Sequence, residues 1–341
     1  MLCAQGLGSE EGSVRQLCQG YLGKWCDDVW ADQAGNLVGV LRAPATGGAT
    51  QRPEAILVMA HLDEVAMSVK RVEADGTLKV IALGGVNPVN FGMCPVDILG
   101  AQATLPGVLS FGTMHATAES PQGADVQRGD VTWGDVHMVT RRSAPELKAA
   151  GVRPGTRVVL SRHWRKPIEL ADALAAHFMD DRAPLLATLR AAEALAGERG
   201  ALRQDVYFAF STREEESNAG ALFAARHLPC STAIAIEVGP VAAEYGTRLE
   251  VNPIIVAADE KGPYSRSVTD ALIGAGERSG YTPQVALLVD FASDASAILA
   301  SGVIGRAGCL AIPTENTHGF EIVLRDGISA CAQVLATYLR G

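Results

Sequence analysis

Five short apolar runs, each of strand length and each separated from the next by other material, limit what this chain can fold into. They are EAILVMA (54–60), DVYFAFS (205–211), TAIAIEV (232–238), QVALLV (284–289) and GCLAIP (308–313). Their β-branched and aromatic content marks them as strands. Helical patterns lie between or after them: APLLATLRAAEALAGERG, AGALFAARHL, SVTDALIGAGERSG and DGISACAQVLATYLR carry apolar residues at three- and four-residue spacing, two of them running into glycine. Strands alternating with helices predict an α/β fold with a mixed, mainly parallel sheet flanked by helices.

The alternation breaks between about residues 67 and 168. TLKVIALGGV, CPVDILGAQATLPGVLSFG, GDVTWGDVHMV and GTRVVLSRHW are β-like pieces punctuated by Gly and Pro, with one short helix around SAPELKAAG. The core pattern resumes afterwards. The chain is therefore expected to form an α/β domain from residues 1–66 plus 169–341, with a β-rich domain inserted over 67–168.

Composition narrows the classes. With 341 residues, 48% hydrophobic and 20% charged, the chain is long enough for one large domain or two moderate ones. It has no apolar run of membrane-spanning length, and its N-terminus lacks the basic start and apolar core of a signal peptide, so a cytoplasmic protein with no membrane partner is expected. A formal net charge of -9 and a pI near 5.3 argue against nucleic acid as a partner. Seven cysteines, scattered singly, show neither zinc-finger nor disulfide spacing and are expected to be reduced thiols.

Ligands of open α/β sheets bind at the carboxyl ends of the strands, and metal-type side chains gather at those positions here. His61 and Asp63 follow the first strand, Glu214, Glu215 and Glu216 follow VYFAFSTR, Glu237 lies near the end of TAIAIEV, and His318 follows CLAIPTENT; Asp180 and Asp181 precede the long helix. Each alone has an ordinary structural reading: a hydrogen-bonded histidine, a solvated acidic face, a helix cap. Gathered at one edge, carboxylates would repel one another and raise their pKa values. A pair of divalent cations removes the conflict, and nitrogen and oxygen ligands without cysteine suit Zn, Co or Mn.

The blocks, in this order, resemble the glutamyl and deblocking aminopeptidases that assemble as tetrahedral particles, the TET aminopeptidases of metallopeptidase family forty-two. MAHLDEVA resembles the family's His-x-Asp-Glu segment, MDDRA its Asp-Asp-Arg, STREEESNAGA its Glu-Glu followed by Gly-Ala, and AIEVG its acidic ligand after a strand. EKGP, ASDASAI and IPTENTHGFEIV resemble its Lys-Gly-Pro, Thr-Asp-Ala and final Ile-Pro-Thr with histidine. The resemblance spans nearly the whole chain and implies a zinc-exopeptidase (phosphorylase/hydrolase-like) fold with two divalent metal ions per subunit. His61, Asp180, Glu215, Glu237 and His318 would be the ligands, Asp180 bridging. Glu214 would be the general base and Asp63 the carboxylate orienting His61. Asp181 reads as a helix cap and Arg182 as an ion-pair partner. Arg213, Asp294 and Glu315 are candidate substrate-binding residues. The implied reaction is removal of N-terminal residues from short peptides by a metal-activated water. The implied assembly is a homo-oligomer, up to a twelve-subunit tetrahedron, with residues 1–66 plus 169–341 as the catalytic domain and the inserted, β-barrel-like domain over 67–168 serving assembly or gating.

Departures from the family pattern point at the substrate pocket. Glu237 stands where Asp is usual and can still reach a metal. Glu315, Asn316 and Gly319 replace an arginine, an aromatic ring and a hydroxyl. An altered pocket charge, with Arg213 beside the base, keeps open an amidohydrolase acting on a non-peptide amide or acylated metabolite; a non-catalytic assembly or binding protein is the third reading. A glycosidase would use paired carboxylates but leaves His61 and His318 without a role.

Overall fold

The computed structural model describes residues 1–44, 54–113, 115 and 131–341. Gly129 and Asp130, at the head of the piece GDVTWGDVHMV, lie outside the described residues. The chain divides into two units, one comprising Met1–Asp63, Pro167–Thr317 and Glu321–Gly341, the other Glu64–Lys166 and His318–Phe320.

In chain order the strands are β1 (Asp28–Ala31), β2 (Leu37–Leu41) and β3 (Ala55–His61), then β4 (Ala66–Val72), β5 (Leu78–Leu83), β6 (Pro95–Leu99), β7 (Thr104–Ser110), β8 (His137–Val139) and β9 (Arg157–Leu160) of the insertion. After it come β10 (Ile168–Leu170), β11 (Ala173–Ala176), β12 (Val206–Ser211), β13 (Cys230–Pro240), β14 (Ile254–Asp259), β15 (Gly262–Pro263), β16 (Gln284–Leu287), β17 (Arg306–Glu315) and β18 (Glu321–Leu324). All five runs read as strands are strands.

Among the described residues the first unit holds one mixed sheet of twelve strands. Its centre is parallel, in the order β12, β3, β13, β17. Antiparallel strands extend it on both sides, β2 beside β12 and β18 beside β17. Every residue of β3 is buried, because both sheet faces are covered. Ile56, Val58 and Ala60 point into one core with residues of the helices Gly12–Trp25, Met179–Gly197, Arg266–Arg278 and Arg325–Arg340. The alternate residues Leu57 and Met59 point into a second core with residues of Ala219–His227 and Asp294–Ala300. The two-residue strand period thus divides one apolar run between two helix layers.

In the second unit the described strands close into a barrel in the order β4, β5, β8, β7, β6, β9. Its interior is apolar, with Met67, Leu78, Ile98, Leu109, Met138 and Val158 fully enclosed. A second feature of this unit is a buried ion pair. Arg165 Nη1 and Nη2 donate to Glu64 Oε1 and Oε2 at 2.7 and 2.6 Å, and neither side chain has any exposed surface. Glu64 is the first residue of the unit and Arg165 lies one residue before the end of its main segment, so a bidentate pair joins the start of the insertion to its finish.

Candidate metal centre

Parallel strands β3, β12 and β13 deliver their carboxyl ends to one edge of the sheet. β3 ends on His61, which is 1% exposed. The segment after β12 turns at Arg213 (φ 57°) into a one-turn helix, Glu214–Ser217. Gly220 makes that turn possible: a Cβ there would lie 2.4 Å from both Asn36 Oδ1 and the Thr212 carbonyl. Asn36 also accepts from the Thr212 amide at 3.0 Å and donates to the Gly220 carbonyl at 2.9 Å. In the first turn of the helix Met179–Gly197 the chain runs through Asp180 and Asp181, both non-helical and joined by a cis peptide bond.

Three carboxylates converge on one ring nitrogen. His61 Nε2 lies 2.8 Å from Asp180 Oδ1, 4.0 Å from Glu214 Oε2 and 4.0 Å from Glu237 Oε2. Ligand-capable atoms of His61, Asp180, Asp181 and Glu237 all fall within 4.8 Å of one another. Asp63 faces the other ring nitrogen across 3.6 Å. Its two oxygens accept from the amides of Glu214 (3.0 Å) and Glu215 (3.1 Å), so it pins the turn that carries both glutamates.

The electrostatics match the crowding. Burial pushes the Asp181 carboxyl well above its ordinary range; His61 opposes this and the Asp180 charge adds to it. Burial likewise raises Glu214, aided by Asp294 and Glu215, and Glu237, aided by Asp181. For His61 burial acts downward, but the charge of Asp181 and the hydrogen bond to Asp180 overcome it and hold the imidazole well above its usual value. Asp181 Oδ1 is buried with no hydrogen-bond partner. One imidazole nitrogen, several carboxylate oxygens and an orphaned buried oxygen fit a divalent cation with nitrogen and oxygen ligands.

Other expectations fare differently. Asp181 does not cap the helix: its Oδ2 accepts from the His61 amide at 2.7 Å. Arg182 donates to the carbonyls of Leu62 (2.9 Å) and Asp63 (3.3 Å). Asp294, taken as a substrate-binding candidate, is 1% exposed, and its oxygens accept from Ser211 Oγ and Asn218 Nδ2; it is enclosed because it opens the helix Asp294–Ala300 beneath the site. Arg213 is exposed and donates to Ser9 Oγ at 2.9 Å. Glu315 ends β17, paired with Ile322. His318 belongs to the short segment grouped with the barrel, where its Nδ1 lies 2.7 Å from the Gly85 carbonyl. Sequence reasoning gathered Asp181 with the metal-type residues but read it as a cap, and it missed Asn218 and the buried Glu321, which accepts from the Asp180 amide at 3.1 Å. A lone Asn or Glu at these places carries no motif that would have singled it out.

A parallel-centred sheet interrupted by a closed barrel is a fold this chain shares with solved aminopeptidases. The chain superposes on the aminopeptidase APDkam598 of Desulfurococcus kamchatkensis with a TM-score of 0.86 at 23% identity, covering 98% of this chain and 91% of that one. It superposes on the Pyrococcus horikoshii TET1 peptidase, which can assemble into a tetrahedron or a large octahedral shell, with a TM-score of 0.82 at 22% identity, covering 98% and 95%. These likenesses establish the fold. The model of the M42 glutamyl aminopeptidase family matches residues 39–334, and the chain belongs to that family. It is also 27% identical over 232 residues to a lysyl aminopeptidase of Pyrococcus furiosus, an alignment spanning 68% of this chain and 62% of that relative.

Proposed function

We propose that the protein is a metal-dependent aminopeptidase that removes N-terminal residues from short peptides. The observation that carries this reading is the convergence of Asp180, Glu214 and Glu237 on His61 Nε2 at the carboxyl ends of parallel strands. His61, Asp180, Glu215, Glu237 and His318 would hold two divalent ions, Zn, Co or Mn, with His318 and the count of two taken from the family resemblance; Asp181 stands beside them. Such ions lower the pKa of water and polarise a substrate carbonyl.

The chain's own residues do the rest. Glu214 turns Oε2 toward the cluster while its amide is held by Asp63, which suits it to take a proton from the attacking water and return it to the leaving amine. Burial raises its carboxyl above the ordinary glutamate range. Asp63 places Glu214 and Glu215 together through adjacent amides. Arg213 donates to Ser9 Oγ, which weighs against its acting as a pocket charge for a non-peptide amide. By analogy with the TET1 peptidase, of which a dodecamer is a solved structure, the protein would work as a homo-oligomer of twelve subunits. No described helix is long and apolar enough to cross a membrane.

The test is peptide trimming. Protein reconstituted separately with Zn, Co or Mn is incubated with a mixed short-peptide library, beside Glu214→Gln, and read by mass spectrometry. Stepwise loss of single N-terminal residues, absent in the variant, is expected. No trimming with any metal, despite bound metal, refutes the peptidase reading.

A further inference from the structure

Asn218 occupies the break between the one-turn helix Glu214–Ser217 and the helix Ala219–His227, in the left-handed region at φ 53° and ψ 20°. Asparagine is among the few non-glycine residues that tolerate this conformation. Its side chain is turned inward, leaving the residue 9% exposed. Nδ2 donates to Glu214 Oε1 at 2.8 Å and to Asp294 Oδ1 at 3.1 Å. Asp294 is fixed in turn by Ser211 Oγ and by its place at the start of a helix whose Ser293 cap accepts from the Ser296 amide. One amide group therefore ties the Glu214 carboxylate to a carboxylate that cannot move.

The two oxygens of Glu214 are thereby made unequal. Oε1 is engaged by Asn218, whereas Oε2 lies 4.0 Å from His61 Nε2, on the side of the cluster. A glutamate has three side-chain torsions, and without a tether either oxygen could face the cluster at varying depth. A base that must meet a proton at hydrogen-bond distance loses rate steeply with small displacements. Asn218 also places both its amide protons between two buried carboxylates, Glu214 and Asp294, that would otherwise meet with no donor between them.

We propose that Asn218 is a positioning residue for Glu214, anchoring Oε1 on Asp294 so that Oε2 alone is presented to the reacting water. This rests on Glu214 being the general base. The residue touches neither substrate nor reacting atoms, and its contribution belongs to kcat rather than to substrate binding.

The experiment uses Asn218→Gly, which keeps the left-handed backbone, and Asn218→Asp, which keeps the shape but removes the donor. Each is made in the wild-type and in the Glu214→Gln background. The metal-loaded proteins are compared for kcat and KM on an aminoacyl anilide, for metal content by elemental analysis, and for folding by circular dichroism. In the wild-type background kcat should fall on the order of 10- to 100-fold, with KM within about twofold and metal content unchanged. In the Glu214→Gln background the same substitutions should cost nothing further, because there is no base left to position. A structural role would lower residual activity in both backgrounds. Unchanged kcat in folded, metal-replete Asn218→Gly overturns the proposal alone, as does a loss carried by KM. Wild type inactive on every amide, or Glu214→Gln fully active, removes the base and the proposal together.

Discussion

Replacing Arg165 with methionine keeps the length of the side chain and removes its charge, leaving Glu64 without the guanidinium that holds both its oxygens. The pair sits where neither side chain has exposed surface, and it makes two charge-assisted hydrogen bonds of 2.7 and 2.6 Å. Removing one partner of a buried pair typically costs about 3–5 kcal/mol, most of it the burden of the stranded charge. Replacing both partners with apolar residues of similar size often costs little. Arg165→Met is therefore expected to lose about 3–5 kcal/mol, and Glu64→Met/Arg165→Met to recover most of that loss. Urea unfolding is the assay, followed by tryptophan fluorescence, to which Trp133 and Trp164 of the insertion contribute beside Trp25 and Trp30, and by circular dichroism. The reasoning is refuted if Arg165→Met lies within about 0.5 kcal/mol of wild type, the range of an ordinary surface substitution. A double variant as unstable as the single one would refute it equally.

Two further expectations concern the site. Gly220→Ala places a methyl 2.4 Å from Asn36 Oδ1 and the Thr212 carbonyl; it should cost about 3 kcal/mol and lower peptide trimming, and thermal melting within a degree or two of wild type would contradict the packing argument. In the metal-free protein, Asp181, Glu214, Glu237 and His61 are all held above their ordinary values. The folded state then binds more protons than the unfolded one, so stability must fall as pH rises from the ordinary carboxylate range through the raised values. Melting from about pH 5 to about pH 8 should show that decline, Asp181→Asn should flatten it, and added divalent metal should stabilise more at the alkaline end; a metal-free curve rising over that range would sink the assignment.

Legibility in the sequence followed the kind of force involved. The central strands β3, β12, β13 and β17 were readable because a buried parallel strand must be apolar along its whole length. The flanking β14, β18 and the β10–β11 hairpin are three to six residues long or lie beside proline, and their pairing comes from the sheet they join. The β1–β2 hairpin depends on Asp32, whose carboxylate accepts from the amides of Ala34 and Asn36, a local device inside an otherwise ordinary run. In the site, His61, Asp180, the Glu214–Glu215 pair and Glu237 announced themselves by chemistry at strand ends. What stayed hidden were partnerships across sequence: Asn218 with Asp294, 76 residues on, and Glu64 with Arg165, 101 residues on. A helix-cap reading of Asp181 failed because capping is a short-range inference, whereas the amide that claims its oxygen belongs to His61, 120 residues away.

The Glu64–Arg165 pair also changes the length of chain that the host sheet has to close. Between the end of β3 and the start of β10 the polypeptide makes an excursion of about a hundred residues, yet its two ends are fastened 101 positions apart in sequence. The entropy of closing a loop grows with the logarithm of its length, by about 0.6 kcal/mol per doubling. Fastened at its neck, the insertion presents itself to the sheet as a connection of a few residues rather than a hundred. Four doublings are thereby removed, on the order of 2.4 kcal/mol of closure entropy borne by the barrel's own folding instead. Such an insertion can lengthen or shorten beyond its neck with little effect on the sheet that carries the site.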